Sequence, residues 1–185
     1  MSVDSRVGTI VKVDKTSPII NEDVIDHHCF GCGNLNSAGL HLRFRRVDGD
    51  RVWADFTPTR AHEGYLSMTH GGILATMLDE AMSWAVTASG DVGVTGRLSI
   101  AFRRPARLGE PLRVVGQVVR RRARTIETSG EIRDNGSGQL IADAQGRFMR
   151  VSREQAAAWY AAYGDGVDGS VFGDTVRGNA VPLKD

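Results

Sequence analysis

The order of hydrophobic and polar positions divides the chain into short alternating segments on either side of one long apolar segment. Residues 40–47 alternate Leu40, Leu42 and Phe44 with polar neighbours, which is the pattern of a strand buried on one face. Further strands are predicted at 51–56, 97–104, 112–125, 126–133 and 139–151. A turn at 48–50 closes the first hairpin, and the Asn135-Gly136 pair predicts a tight hairpin turn before the last strand.

The long apolar segment predicts a helix that other elements surround. Of the 16 residues from Ile73 to Ala88, 11 are apolar, which is more than a helix lying on a surface requires. At 100° per residue the polar positions fall within a stripe about 100° wide, which faces either water or a crevice. These positions are Thr76, Asp79, Glu80, Ser83 and Thr87. The predicted antiparallel strands are the only elements available to wrap the remaining circumference.

The order of elements predicts an α+β fold, in which an antiparallel sheet wraps one long central helix. We assign residues 1–25 to an N-terminal arm or extra strand and residues 26–152 to the main domain. Residues 153–185 are assigned to a short C-terminal helix, stopped by Gly164, and a glycine-rich tail.

Composition and charge exclude several classes of protein. The formal net charge is +1, without the concentrated basic surface of a nucleic-acid-binding protein. No run approaches the roughly 18 uncharged apolar residues that a membrane span needs, and the first residues lack the pattern of a signal peptide. We therefore expect a cytoplasmic protein without nucleic-acid or membrane partners.

The start of the long helix carries the clearest chemical signal. His70-Gly71-Gly72 precedes the apolar run, and Asp79 follows two turns later. Glycines let a ligand approach the backbone, and the first N–H groups of a helix have no intrahelical partner. Together these features form a site for a negative or developing negative oxygen, with an acid nearby. Alternatively, the two glycines only make a tight entry to the helix.

Three segments together resemble the hotdog-fold acyl-CoA thioesterases of the PaaI-like group. They are HGGILATMLDEA (70–81), RLSIAFRRPARLGEPLRVVGQVV (97–119) and ADAQGRFMRV (142–151), and the resemblance extends over roughly residues 27–151. It implies a sheet wrapped around a central helix, a homodimer that can pair into a tetramer, and hydrolysis of acyl-CoA or acyl-carrier thioesters without a cofactor. A non-catalytic hotdog protein that binds acyl-CoA is the alternative.

The resemblance also implies roles for individual residues. Gly71, followed by Gly72, matches the glycine whose N–H polarises the thioester carbonyl. Asp79 matches the catalytic nucleophile or general base, and Thr95 matches a position that holds the water or the carboxylate. In this family the acid and the glycine of one site usually come from different subunits. Glu80 lies 100° around the helix from Asp79, so we expect it to be a structural or solvent-contacting acid.

Substrate contacts are predicted around this motif. Many members of the family carry Asn or Gln six residues before the histidine, where this chain has Gly64. Either His62 or Glu63, with His70, takes over that contact, or the contact is absent. Arg103 and Arg104 are candidates for the coenzyme A phosphates, although arginines also occur on strands simply as soluble surface residues.

Cys29 and Cys32 have the CxxC spacing, next to His27 and His28. A zinc site would require a second pair of ligands at comparable spacing, and the sequence has none. A redox motif would require a thioredoxin-like setting. The sequence therefore predicts a packed loop that flanks the acyl tunnel, and no metal. A metal-stabilised scaffold built on Cys29 and Cys32 is the weaker alternative.

Overall fold

The computed structural model describes residues 13–22 and 27–161. Its strands are β1 (Arg45–Arg46), β2 (Arg51–Phe56), β3 (Gly93–Phe102), β4 (Leu112–Arg121), β5 (Thr125–Asp134) and β6 (Leu140–Arg150). Its helices are α1 (Gly71–Ala88), α2 (Arg153–Ala161) and a single 3-10 turn at Arg60–His62. No helix in this part of the chain is long and apolar enough to cross a membrane.

The strands form one antiparallel sheet in the order β1-β2-β4-β5-β6-β3, which places β3 at one edge. Helix α1 contacts every strand from β2 to β6, so the sheet wraps around it as predicted. The side chains between them are fully buried, and they include Met77, Leu78, Met82, Ile126, Ile132 and Phe148. The α+β prediction is therefore confirmed.

Most of the first predicted strand, residues 40–47, does not form a strand. Hydrogen bonds from a side chain support this segment instead. Leu40, Leu42 and Phe44 are buried as their alternation predicts, but the described strand contains only Arg45–Arg46. The buried amide of Asn21 donates to Leu42 O at 2.9 Å and accepts from Phe44 N at 2.8 Å. These two bonds take the place of a neighbouring strand, so this segment keeps its alternation without a ladder.

The N-terminal arm is described only in part. Residues 13–22 lie along β1, where Ile19 bridges Arg45 and Ile20 N donates to Phe44 O at 2.8 Å. Residues 1–12 and 23–25 of the predicted arm lie outside the described residues, as do residue 26, Gly164 and the tail. The division into three regions stays a prediction.

The ends of some predicted strands and one predicted turn were wrong. Strand β4 ends at Arg121 and not at residue 125. Strand β3 begins at Gly93, four residues earlier than predicted, because a bulge between Thr95 and Arg97 lets it continue along β6. The hairpin between β5 and β6 is not a tight Asn-Gly turn. Asp134 instead accepts from Ser137 N at 2.6 Å, and Gly138 adopts the left-handed conformation at φ 73°.

Helix α1 approaches the sheet closely at Gly116 in β4. A Cβ atom at this position would lie 2.2 Å from the carbonyl oxygen of Ala81 and 2.8 Å from Met82 N. Both atoms belong to the backbone of α1, which cannot move aside as a flexible side chain can. The absence of a side chain at Gly116 therefore sets how closely α1 packs on the sheet.

We expect Gly116→Ala to lower the free energy of unfolding by at least about 2 kcal/mol, within the range of overpacked cores. Urea denaturation measures the change. Gly136→Ala is the matched control, because a Cβ there would meet only Asp134 Oδ1 at 3.5 Å. Equal stability of the two variants would show that α1 can shift away from β4.

Candidate active site

Helix α1 begins at Gly71, with His70 as its N-cap. The imidazole Nδ1 of His70 accepts a hydrogen bond from Gly72 N at 2.9 Å. The Gly72 N–H is therefore already used by the N-cap side chain, and the predicted catalytic role of Gly72 stays a prediction. Among the described residues, the N–H of Gly71 has no partner.

Gly71 is not needed to avoid a steric clash. Its lack of a side chain leaves space beside its backbone N–H. A Cβ atom there would meet only the exposed Phe102 ring, at the ordinary contact distance of 3.5 Å from Cζ. At Gly72, by contrast, a Cβ would lie 2.9 Å from His70 Nδ1 and would disturb the cap. The backbone N–H of Gly71 is thus the amide that a ligand can approach closely.

The structure brings Asp79 and Thr95 together. Asp79 is half-buried on α1, and Thr95 Oγ1 donates to its Oδ1 at 2.7 Å. Thr95 lies on the edge strand β3, immediately before the bulge. The hydroxyl fixes one carboxylate oxygen, and the predicted roles of the two residues stay predictions.

The loop before α1 uses its polar side chains internally. His62 Nδ1 accepts from Thr59 N at 2.9 Å, and Glu63 Oε1 accepts from Ser67 N at 2.7 Å. Partial burial lowers the pKa of the His62 imidazole, which favours this accepting neutral form. Both side chains therefore stabilise the loop, and their predicted contact with substrate stays untested.

The packing around position 64 explains why this residue is a glycine. A Cβ at position 64 would lie 2.9 Å from Cα of His70, so an Asn or Gln there would push the N-cap residue away from the helix. The departure from the family pattern is thus built into the way this loop packs on His70.

The two predicted phosphate ligands differ in availability. Arg103 forms a bidentate ion pair with Asp143, at 2.5 Å from Nε and 3.2 Å from Nη2. Arg104 is exposed and donates from Nη1 to Leu140 O at 3.1 Å. Neither lies beside Asp79 in the contacts of the described chain.

Comparison with known proteins bears on this site. The family model described as the thioesterase superfamily matches residues 66–141. Human acyl-coenzyme A thioesterase 13 is 32% identical over 102 residues, which are 54% of this chain and 71% of that protein. An uncharacterized protein of Schizosaccharomyces pombe is 36% identical over 103 residues, which are 53% of this chain but only 59% of that protein's length. The fold of the E. coli PaaI protein superimposes with a TM-score of 0.57 at 24% identity, covering 61% of this chain and 81% of PaaI.

This chain belongs to the thioesterase superfamily. The resemblance read from the HGG segment and the strands after it is therefore confirmed, and the wrapped helix is that of the hotdog fold. The matched region contains α1, β3, β4 and β5, and with them Gly71, Asp79 and Thr95.

Sequence reasoning missed the position of Glu80. Its carboxylate turns toward the cysteine loop, which is the loop that contains Cys29 and Cys32. The two carboxylate oxygens lie 3.7 Å and 3.8 Å from Cys29 Sγ, and Oε1 accepts a hydrogen bond from Trp84 Nε1 at 3.1 Å. Burial, together with Cys29, raises the pKa of Glu80 to about 7. The only signal in the sequence is Trp84 four residues later on the same helix face. Glu80 is therefore a structural acid in contact with the loop, which is the first of the two roles expected for it.

The two cysteines next to Glu80 differ in character. A hydrogen bond from the Cys32 thiol, with the N–H groups of Cys32 and Gly31, lowers the pKa of Cys29 to about 5. The same bond and burial raise the pKa of Cys32. Both thiols are reduced.

We expect His70→Ala to lower the free energy of unfolding by about 1 kcal/mol, the usual cost of losing an N-cap acceptor. His70→Asn should restore most of that stability, because the Asn side chain also accepts from the first-turn N–H groups. Urea denaturation of both variants measures the difference. Equal stability of the Ala and Asn variants would contradict the capping role.

Proposed function

We propose that the protein hydrolyses acyl-CoA thioesters, or acyl-carrier thioesters, to the free acid and the thiol. The observation that carries the proposal is Asp79, held by the Thr95 hydroxyl at 2.7 Å, on a helix whose first N–H lacks a partner among the described residues. Membership of the thioesterase superfamily supports the reaction class, and the chemistry of these groups supports their roles.

Asp79 supplies the acid–base chemistry. Thr95 fixes Oδ1, so Oδ2 can accept a proton from a water molecule as that water attacks the thioester carbonyl carbon. The tetrahedral intermediate then expels the thiolate, which recovers the proton from Asp79. As a nucleophile, the same carboxylate would instead attack the carbonyl carbon, and the C–S bond would break to release the thiolate. Water would then open the resulting anhydride to the free acid and the Asp79 carboxylate, and its remaining proton would go to the thiolate. A positioned carboxylate contributes roughly 100- to 10,000-fold in rate.

The Gly71 N–H supplies the oxyanion donor. It lies at the positive end of α1, where negative charge on the carbonyl oxygen is favoured. One such donor is worth roughly 100- to 1000-fold in rate. A thioester is already an activated acyl group, so these two contributions suffice without a metal at the reacting carbon.

Both groups cannot serve one carbonyl within a single chain. Asp79 lies eight positions after Gly71, which corresponds to about 12 Å along the axis of α1. We therefore propose that each site combines Asp79 of one subunit with Gly71 of another in a homodimer. The open edge of β3 beside Thr95, with exposed Val94 and Phe102, offers a surface for this pairing. Pairing of two dimers into a tetramer would leave the composition of each site unchanged.

Arg104 is the better candidate for a coenzyme A phosphate, because Asp143 already neutralises Arg103. Exposed guanidinium groups suit both the pyrophosphate and the 3′-phosphate.

Binding of acyl-CoA without turnover is the second candidate. It is favoured by the lack of a side chain at Gly64 and by the internal use of His62 and Glu63, which leave the substrate less constrained.

Asp79→Asn should lower thiol release from acyl-CoA esters by at least about 100-fold, since it removes the base. The measurement is a thiol-release assay over short, medium, long and aryl acyl-CoAs. Glu110→Gln is the matched control, because Glu110 is exposed on the loop before β4. Full activity of Asp79→Asn would refute the site. Binding of the esters without cleavage by the unmodified protein would favour the second candidate.

Gly71→Pro should lower kcat by roughly 100- to 1000-fold, because proline removes the N–H yet suits the first position of a helix. The extended backbone of His70 (φ −63°, ψ 136°) is compatible with a following proline. Gly71→Ala keeps the N–H and should retain far more of kcat. An equal loss in both variants would contradict the oxyanion role.

A shared site should also show complementation. Subunits of Asp79→Asn and Gly71→Pro, unfolded together and refolded at equal amounts, should recover about a quarter of the original activity. Half of the dimers are then mixed, and each mixed dimer has one intact site. No recovery above that of the separate variants would place both groups in one chain.

A further inference from the structure

We infer that Cys29, Cys32 and Glu80 form a binding site for one Zn²⁺ ion that joins the loop 27–33 to helix α1. The inference does not rest on the proposed hydrolysis. Each residue offers one ligand atom, and these atoms all lie within 4.8 Å of one another. The site has a structural role and lies one residue from Asp79 along α1.

The loop has the shape of a metal-binding knuckle. Gly33 N donates to Cys29 O at 3.0 Å, and the backbone N–H groups of Gly31 and Cys32 are directed at the Cys29 sulfur. A Cβ atom at Gly33 would lie 2.2 Å from the His27 carbonyl oxygen, so only glycine permits this tight turn. The turn brings both sulfur atoms to the side of the loop that faces α1.

Glu80 supplies the third ligand that the sequence alone did not show. Its oxygens lie 3.7 Å and 3.8 Å from Cys29 Sγ. Zinc bonds of about 2.3 Å to sulfur and about 2.1 Å to oxygen give a sulfur–oxygen edge of about 3.6 Å in a tetrahedral site. The observed separations therefore match those of two ligands of one ion. Gly31 admits the carboxylate, because a Cβ there would lie 2.4 Å from Glu80 Cδ.

The charge of the cluster favours a cation. Within the described ranges, no arginine or lysine forms an ion pair with Glu80. A partly buried carboxylate beside two thiols is costly unless a positive charge compensates. Sulfur ligands select zinc over magnesium or calcium, which prefer oxygen alone.

His27 is the partner that orients Cys32. Its Nδ1 accepts from Cys29 N at 3.1 Å, so the neutral ring carries its proton on Nε2. Nε2 lies 3.9 Å from Cys32 Sγ and directs that proton at the sulfur. Such outer partners fix metal ligands in place. Three protein ligands leave one position of a tetrahedral site, which water would fill.

The test is zinc analysis of the full chain, purified under reducing conditions and without a histidine tag. We expect one zinc per chain by mass spectrometry and, by competition with a chromophoric chelator, an apparent Kd tighter than about 10⁻⁷ M, the weak end of structural sites. Cys29→Ser and Cys32→Ser should each weaken binding by at least about 100-fold, and Glu80→Gln by at least about 10-fold. Glu110→Gln should bind as the unmodified protein does.

A second measurement uses the unmodified protein, so it tests the inference even if a variant fails to fold. The chain has two cysteines in all, so the reaction of the unmodified protein with a thiol reagent reports on this site alone. Zinc should slow the reaction of both thiols, and a chelator should restore it. Less than about 0.1 zinc per chain in the reduced protein after zinc loading, or unchanged affinity in either cysteine variant, would overturn the inference.

Discussion

The close packing of helix α1 on the inner face of the sheet is the constraint on which the rest of the structure depends. Gly116 lets the backbone of α1 pass against β4, and the fully buried side chains of Met77, Leu78 and Met82 fill the space around that contact. An interior packed this densely leaves a helix few ways to rotate or slide. The packing of the apolar residues of α1 therefore fixes the direction in which each polar residue of the helix points.

That fixed rotation gives the neighbouring acids Asp79 and Glu80 different environments. Asp79 is directed to the edge strand, where Thr95 holds it, and Glu80 is directed to the cysteine loop. Since successive helix residues differ by 100°, one rigid element can serve both the proposed catalytic site and the proposed zinc site. The same rigidity keeps Gly71 about 12 Å from Asp79, which is why the proposed catalytic site calls for a second subunit.

Much of the fold could be predicted from the sequence because its signals are local. The apolar run from Ile73 gave the wrapped helix, and the alternation of Leu40, Leu42 and Phe44 gave the correct buried face. Strand ends were less accurate where a bulge at Thr95 or a side chain such as Asn21 replaced regular pairing. Bulges and side-chain bridges depend on residues that are distant in the sequence. The alternation of hydrophobic and polar residues within one segment therefore does not indicate them.

The sequence by itself determined the α+β class, the family, and a helix that begins with two glycines and carries Asp79 two turns later. These features could be predicted because motif spacing and periodicity are properties of neighbouring residues. Only the tertiary structure decided that His70 occupies the Gly72 amide and that Gly64 is required by the packing of His70. It alone brought Glu80 to cysteines 51 and 48 residues earlier in the chain. Contacts over such separations arise from the packing of whole elements, which no short segment encodes.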